Sequence, residues 1–378
     1  MKKIWMIIPF ISMFGLSCAT AQAVEDQKAV RIVIVGDTRM GEGGFNAGFE
    51  AIIKSIKKLK QQPDVLIHLG DFVYRPKNDR TTCAEYQREI KNNLVNNFKG
   101  TVPLFVMGDN DVDNWKKKKE SWWGCWDYIV NLDDRFDHIP KGDPAPGALE
   151  GIKKFDNVLV AILDTNNWRD PGPWLAPQIK KAKNKGDWVI IAQHEPVISI
   201  AWNNPDFQNG QTIKQINGLR PDLVFSGHHH AYQRFCPTRE TIHDLMTPDW
   251  NKKCQSESTA DNRLIEKGDG AVHIVSGGGG ALLRPFAKNQ IGERARSHLP
   301  DSRFEKALAN SAVMNHFVLL DVYEKEIRGE VHVVCVRGES RFRSDDSNIW
   351  GKTTLECEKR EDQKIPGEFI FEEFVIQK

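Results

Sequence analysis

The sequence predicts a mixed α/β fold in which helices alternate with short, β-branched strands. Three strand-like runs, at residues 30–35, 64–69 and 102–107, each end at a Gly-Asp pair. Apolar residues recur at helical spacing from Phe49 to Leu59, and a second helix is predicted over residues 85–98. This alternation is typical of βαβ units and predicts a largely parallel sheet.

The later part of the chain contains further strands and then reads as all-β. Strand patterns at residues 157–163, 188–193 and 222–226 continue the alternation. The all-β part is predicted at residues 271–276, 316–323, 330–336 and 368–376. With no internal repeat and no long linker, the sequence predicts one domain over residues 24–378. Insertions into it are predicted near residues 75–85, 112–150 and 237–268.

Composition places the chain among ordinary globular proteins. It has 378 residues, of which 40% are hydrophobic and 27% charged, enough for a large core. The formal net charge of +1 gives no basis for electrostatic capture of duplex nucleic acid or of an anionic membrane. No obligate protein partner is inferred.

The first 23 residues have the pattern of a secretory signal peptide. Lys2 and Lys3 precede an apolar run over residues 4–16, too short to span a bilayer, and Ala21-Gln22-Ala23 supplies small residues for cleavage. Their removal would change the formal charge from +1 to −1. A periplasmic or secreted location is therefore predicted. The alternative is a lipid anchor at Cys18; against it, Gly15 stands where that signal needs a large aliphatic residue.

The cysteines favour an oxidising compartment. Beyond Cys18 six remain, an even number that fits disulfides in an exported chain. Sequential pairing is preferred because each disulfide would cross-link the two ends of one loop. The pairs would be Cys83–Cys125, Cys236–Cys254 and Cys335–Cys357. Free buried thiols or a zinc cluster are the alternatives, and the absence of Cys-x-x-Cys spacing argues against zinc.

Metal-ligand residue types follow five of the predicted strands. Asp37, Asp71 and Asp109 each follow a glycine at a strand end, His194 ends another strand, and Gly227-His228-His229-His230 follows the strand at 222–226. Ligands in open α/β sheets bind beyond the carboxyl ends of the strands. Three carboxylates and three imidazoles on one rim could hold a close pair of metal ions. The alternative is a set of polar turn residues on a sheet edge.

With these motifs in this order, the chain resembles the calcineurin-like metallophosphoesterase superfamily, over roughly residues 31–232. The glycine run Gly277–Gly280 also resembles a feature of purple-acid-phosphatase-like members. The resemblance implies two packed central β-sheets flanked by helices, a four-layer sandwich with the metals at one edge. It further implies two metal ions (Fe, Zn or Mn), a small phosphorylated substrate, and hydrolysis of phosphate esters.

Carried over to this chain, the family's ligand set assigns a role to each matching residue. Asp37 and His230 would bind the first metal, His194 and His228 the second, and Asp71 would bridge both. Many members have a histidine two residues after the first aspartate, and this chain has Arg39 at that position. Purple acid phosphatases use a tyrosine three residues after the bridging aspartate, and Tyr74 stands at that spacing. A tyrosine ligand would favour Fe(III); the alternative interpretation of Tyr74 is an ordinary aromatic residue in a loop.

The motif after the third strand differs more strongly from the family pattern. Gly108-Asp109-Asn110 stands where the family has Gly-Asn-His. Two divalent ions supply four positive charges, and Asp37, Asp71, Asp109 and a bridging hydroxide cancel them, where an Asn ligand would leave +1. A formally neutral site attracts a dianionic phosphate less strongly, and the permanent positive charge of Arg39 could restore that attraction. Asn110 can orient an oxygen but cannot deliver a proton, and general-acid help is typically worth roughly 10²–10⁴-fold. His229 is the nearest replacement acid by sequence; a supporting or exposed imidazole is its other interpretation.

The sequence therefore predicts an exported dinuclear metallophosphatase that hydrolyses phosphate monoesters with a metal-bound hydroxide. Arg39 and Asn110 would hold non-bridging oxygens of the phosphate. Two alternatives stay open: a phosphodiesterase or nucleotide hydrolase with the same metals, and a catalytically weak phosphate-binding relative. A structural exported domain would require the ligand set to be a coincidence.

Overall fold

The computed structural model contains two seven-stranded β-sheets packed face to face. It describes residues 29–40, 46–73, 80–111, 136–140, 149–201, 210–238, 264–266, 270–283, 304, 307–336, 356–364 and 367–378. The predicted signal peptide lies outside these residues, as do Cys18, Tyr74 and most of the three predicted insertions. No helix among the described residues is long and apolar enough to cross a membrane.

The described core contains fourteen strands, four longer α-helices and a short helical segment over residues 356–362. The strands are β1 (Val30–Val35), β2 (Val65–His68), β3 (Val102–Phe105), β4 (Gly151–Phe155), β5 (Val158–Ile162), β6 (Trp188–Gln193), β7 (Leu223–Ser226), β8 (Tyr232–Phe235), β9 (Leu264–Glu266), β10 (Val272–Ser276), β11 (Leu308–Ala312), β12 (His316–Val322), β13 (Glu326–Val334) and β14 (Glu368–Gln377). The helices are α1 (Ala47–Ile56), α2 (Arg80–Ile90), α3 (Gly172–Asn184) and α4 (Gly210–Gly218), and a π-helical turn, Lys91–Val95, continues α2.

Both sheets are mixed. The first has the order β3-β2-β1-β12-β13-β14-β9, with β1, β2 and β3 parallel and β12 antiparallel to β1. The second has the order β11-β8-β10-β7-β6-β5-β4, with β5, β6, β7 and β10 parallel. The parallel sheet predicted from the βαβ alternation is thus divided between two sheets, and the all-β part of the chain completes each of them.

Successive side chains along a strand point to opposite faces of the sheet, so each sheet has an inner and an outer apolar face. Ile32 and Ile34 of β1 point into the core between the sheets, whereas Val33 and Val35 pack with α1 on the outer face. The second sheet likewise has its own outer core, formed with α3 and α4. Strands buried on both faces are continuous apolar runs, the pattern read from the sequence. The predicted four-layer fold, two sheets flanked by helices, is confirmed.

The strands that precede the candidate ligands lie within two residues of their predicted bounds. Helix α1 begins next to the first of these ligands. Its cap residue, Asn46, accepts a hydrogen bond from the Phe49 backbone N–H and donates from Nδ2 to the Thr38 carbonyl oxygen (2.8 Å). The helix start is thereby tied to the loop that carries Asp37.

One predicted disulfide is present among the described residues. Cys335 and Cys357 are bonded across a sequence separation of 22 residues, beside the ends of β13 and β14. Cys236 is also disulfide-bonded. Its predicted partner, Cys254, lies outside the described residues, as do Cys125 and the side chain of Cys83.

Candidate metal centre

Six candidate ligands converge at the rim where strands of both sheets end. They form two groups, each with ligand atoms within 4.8 Å of one another. The first group contains Asp37, Asp71 and His230, and the second contains Asp109, His194 and His228. Tyr74, the seventh predicted ligand, lies outside the described residues. The parallel ends of β1 and β2 in one sheet, and of β6 and β7 in the other, bring these side chains together.

The histidine turn after β7 is held directly against the loop after β1. The His228 backbone N–H donates to Asp37 Oδ2 (2.8 Å), and His230 Nε2 lies 3.6 Å from Asp37 Oδ1. Asp37, Asp71 and His228 have positive φ angles of 61°, 55° and 67°. Such conformations are uncommon for residues other than glycine, and they persist where surrounding contacts fix them. Each of these residues turns sharply out of its strand toward the rim.

Asp71 lies between the two groups, and its two oxygens have different neighbours. Oδ1 accepts the Asn110 backbone N–H (2.9 Å) and lies 3.4 Å from His194 Nε2. Oδ2 accepts Asn110 Nδ2 (2.8 Å) and both Nε and Nη2 of Arg39 (3.1 and 3.0 Å). Arg39 and Asn110, the side chains expected to hold phosphate, therefore both donate to this carboxylate.

The ligand histidines are oriented by contacts at their other ring nitrogens. His194 Nδ1 lies 2.7 Å from the Leu69 carbonyl oxygen, and His230 Nδ1 lies 2.5 Å from that of Leu282. A carbonyl can only accept, so Nδ1 carries the proton when the ring is neutral, and Nε2 presents a lone pair to the rim. An imidazole held in this way by a backbone carbonyl is the common arrangement of a metal-binding histidine.

Asp109 and two histidines form the second group. Asp109 Oδ1 lies 3.0 Å from His194 Nε2 and 3.2 Å from His228 Nδ1. Burial alone would raise the pKa of Asp109, but His228 and His194 outweigh it and hold the pKa well below its usual range. Burial opposes protonation of His194, yet Asp71 and Asp109 raise its pKa well above the usual value. The carboxylates and imidazoles of this group therefore stabilise one another's charged forms.

The first group also has the character of a cation site. Asp37 is fully buried, and no hydrogen bond reaches its Oδ1. Burial raises the pKa of Asp37 to about 8, and Asp71 adds to this rise. A buried, incompletely hydrogen-bonded carboxylate is costly unless a cation is close. Carboxylate oxygens and imidazole nitrogens are suitable ligands for Fe, Zn and Mn, so the residues present fit a pair of such ions joined by Asp71.

The family model for calcineurin-like phosphoesterases matches residues 30–232. This segment is more than half of the chain, runs from β1 to the first residue of β8, and contains all six converging residues. The chain belongs to the calcineurin-like phosphoesterase family. The predicted family membership is confirmed.

The individual relatives of this chain are distant. An uncharacterised protein of Mycobacterium tuberculosis is 32% identical over 130 residues, which cover 31% of this chain and 23% of that protein. Probable inactive purple acid phosphatase 27 of Arabidopsis thaliana is 23% identical over 340 residues, 80% of this chain and 49% of its own. The chain spans less than half the length of these curated relatives.

Two solved structures share the fold of this chain. Purple acid phosphatase PPD1 from yellow lupin (Lupinus luteus) seeds superposes with a TM-score of 0.56 at 16% identity, covering 93% of this chain and 54% of that one. The structure of PhoD gives 0.53 at 12% identity, covering 93% and 70%. At such identities the likeness concerns the fold.

Asp111 is a component of the candidate site to which the sequence interpretation assigned no role. Its carboxylate is fully buried and accepts four backbone N–H groups: Oδ1 from Phe72 (2.8 Å) and Val73 (3.3 Å), and Oδ2 from Asp71 (2.9 Å) and Gly108 (2.8 Å). It therefore holds the loop after β2 against the loop after β3. The available signal was its place directly after Gly108-Asp109-Asn110.

The glycine run after β10 supports the first aspartate. Backbone N–H groups of Gly279 and Ala281 donate to the carbonyl oxygens of Gly36 (2.8 Å) and Asp37 (2.9 Å). A Cβ on Gly279 would lie 2.1 Å from the Gly36 oxygen, so a side chain there would displace the loop. These two amides are engaged by the protein, so the run serves as a close-packed support for the Asp37 loop.

His229, the candidate replacement acid, lies in the interior, as do His68 and His273. His229 is 5% exposed, and its Nδ1 lies 2.6 Å from Ser199 Oγ, which also contacts Gln233 Oε1. His68 stacks on Phe72 and contacts Thr38, so it supports the loops from behind. His273 contacts Asn217 in the core, away from the rim.

Proposed function

We propose that this protein is an exported, metal-dependent phosphatase that hydrolyses phosphate monoesters at the rim shared by its two sheets. The observation that carries the proposal is the convergence of two potential metal-binding groups next to Asp71, within a phosphoesterase family match. When bound, a pair of metal ions would polarise the ester and lower the pKa of the attacking water. Asp37 and His230 would hold one ion, Asp109, His194 and His228 the other, and Asp71 both.

The charged and amide groups beside Asp71 would orient this centre. Arg39 and Asn110 hold Asp71 through Oδ2, which leaves Oδ1 directed toward His194. The guanidinium of Arg39 places a permanent positive charge at the rim, which favours an approaching phosphate anion. Both residues would thus act first on the bridging carboxylate and second on the substrate's oxygens.

Delivery of a proton to the leaving group is the weakest part of this site. Asn110 occupies the position of the family's histidine and cannot supply a proton. His229 is the candidate substitute, but its burial and its contact with Ser199 favour a supporting role. Esters whose leaving groups need little protonation, such as aryl phosphates, would therefore be the best substrates.

Two alternatives have specific support. The carboxylate of Asp109 adds negative charge to the centre, which favours a monoanionic diester over a dianionic monoester, so a phosphodiesterase or nucleotide hydrolase is the second candidate. A catalytically weak phosphate-binding protein is the third, because Asn110 lacks an acidic proton and the Arabidopsis relative is named a probable inactive enzyme.

Turnover of 4-nitrophenyl phosphate and of bis(4-nitrophenyl) phosphate, measured side by side on metal-loaded protein, tests the proposal. We expect a higher kcat/KM for the monoester. Asp71→Asn should lower it by more than about 100-fold, because the change affects both groups. Asp321→Asn is the matched control, since Asp321 pairs with Arg31 at the opposite end of β1. A faster diester reaction would select the second candidate, and metal-loaded protein without any turnover the third.

Export has its own test. A disulfide between Cys335 and Cys357 is compatible with an oxidising compartment. We expect the protein in the periplasmic or culture fraction, with a mature N-terminus after Ala23, and N-terminal mass spectrometry would measure it. Intact protein that retains residues 1–23 in the cytoplasm would contradict export, and a lipid on Cys18 would select the anchored alternative.

A further inference from the structure

Arg39 forms a buried ion pair with the carboxylate that lies between the two groups. Its side chain is 14% exposed and that of Asp71 is 0% exposed, and the nitrogens Nε and Nη2 both reach Oδ2. The backbone of Arg39 has φ of +44°, and its N–H donates to the Asp71 carbonyl oxygen (2.9 Å). Main chain and side chain of Arg39 are therefore both fixed on Asp71, which is how a non-glycine residue keeps this uncommon conformation.

The two oxygens of Asp71 have different contacts, Oδ2 with neighbouring side chains and Oδ1 with the candidate metal centre. Oδ2 carries the Arg39 guanidinium and the Asn110 amide, while Oδ1 faces His194. A cation on one oxygen draws electron density from the other and repels any metal ion placed beside it. Arg39 therefore lowers the affinity of the centre for metal ions while it holds the carboxylate in position.

Asp109 has the opposite effect on the same centre. Its carboxylate contacts His194 and His228 and adds one negative charge beyond those of Asp37 and Asp71. With neutral imidazoles, the three carboxylates and Arg39 together carry a formal charge of −2. Two carboxylates alone, with neutral residues at positions 39 and 109, would carry the same charge.

We propose that Arg39 and Asp109 are a compensating charge pair that sets the metal affinity of this centre, Arg39 weakening it and Asp109 strengthening it. The inference rests on the proposed two-metal centre. Arg39 is here a positioning residue, acting on the metals through Asp71. It gives a physical reason for two departures from the family pattern to occur together in one chain.

Equilibrium metal binding, measured by competition of Zn²⁺ and of Mn²⁺ with a chromophoric chelator, tests the pair without any substrate. Loss of a group that only orients a metal ligand typically weakens metal binding by roughly 10–100-fold. We expect the opposite for Arg39→Gln, which should bind each ion about tenfold more tightly because a repelling positive charge is removed, and we expect Asp109→Asn to bind about tenfold more weakly. The double variant should return to within about threefold of the wild type, because the two charge changes oppose each other.

Two further variants separate charge from structure. Arg39→Lys keeps the charge and loses the two-nitrogen contact, so its affinity should stay near that of the wild type. Arg31→Gln removes an arginine paired with Asp321 at the far end of β1 and should leave metal binding unchanged. Thermal melting of each metal-free variant verifies folding.

The proposal is overturned if Arg39→Gln weakens metal binding, because Arg39 would then only position Asp71. It is also overturned if Arg39→Lys behaves like Arg39→Gln, or if the double variant is no closer to the wild type than Asp109→Asn alone. Wild-type protein that binds two ions and hydrolyses no ester would contradict the proposed activity and leave the charge pair standing.

Discussion

Replacement of Asp111 by asparagine should destabilise the protein and loosen the metal centre together. In the wild type each carboxylate oxygen accepts two backbone N–H groups. Asparagine keeps one accepting oxygen and turns an NH₂ group toward the other two donors. A buried donor without an acceptor costs about 1–3 kcal/mol, so two cost roughly 2–6 kcal/mol.

Part of this loss is offset, because asparagine no longer buries a charge. Burial and the neighbouring Asp71 raise the pKa of Asp111 to about 7, so its ionised form is itself costly at neutral pH. We therefore expect the lower part of the range, roughly 2–4 kcal/mol. Urea unfolding of metal-free protein at pH 7 measures it, and chelator competition on the same samples should show weaker metal binding, since the Asp71 loop loses its anchor.

Asp222→Asn is the matched control for this prediction. Asp222 is a buried carboxylate that accepts the Val189 backbone N–H through Oδ2 (2.8 Å), at the start of β6 and β7 and away from the rim. We expect this variant to lose stability and to keep wild-type metal affinity. A change in unfolding free energy below about 0.5 kcal/mol for Asp111→Asn, or unaltered metal binding alongside a large destabilisation, would show that Asp111 does not anchor the Asp71 loop.

Three further predictions concern other parts of the molecule. Replacing Cys335 and Cys357 by serine should lower the unfolding free energy by about 3 kcal/mol, because their disulfide closes a loop with a separation of 22 residues; unchanged urea midpoints would contradict this. Burial lowers the pKa of His273 to about 3, below the usual value near 6.5, so the folded state binds fewer protons than the unfolded state between these values. Stability should therefore fall as pH drops through this window, and His273→Gln should remove about 1 kcal/mol per pH unit of that slope; an identical slope in the variant would exclude His273 as its source. Tyr74→Phe should abolish any visible charge-transfer absorption of iron-loaded protein, whereas retention of the band would remove Tyr74 from the ligand set.

The parts of the fold that follow from local sequence are the strands that carry the site. Strands β1, β2, β6 and β7 are short apolar runs ending at Gly-Asp, Gln-His or Gly-His, so both their position and their ligands are visible in the sequence. Strand β8 was not predicted, because Gln233 and Arg234 look like surface residues. Arg234 is buried because Glu372, 138 residues away on β14, pairs with its guanidinium.

In the candidate site, too, the ligand residues are visible in the sequence, whereas the contacts that surround them are not. Residue types at strand ends were sufficient to predict the two groups of potential ligands. The acceptor role of Asp111 was not visible, because all four of its partners are backbone N–H groups that any residue carries. The pairing of Arg39 with Asp71 was not predicted either, since it depends on positive φ angles at both residues. Residue types in the sequence indicate which groups can bind a metal. Tertiary contacts determine which charged side chains lie next to those groups.

Anomalous X-ray diffraction from crystals grown with Zn²⁺ or Mn²⁺ would show directly whether this rim binds two metal ions. We predict two metal ions at the rim, one in contact with Asp37 and His230, the other with Asp109, His194 and His228, and Asp71 in contact with both. A single ion, or two ions bound elsewhere while these six side chains stay paired with one another, would exclude a two-metal centre at this rim.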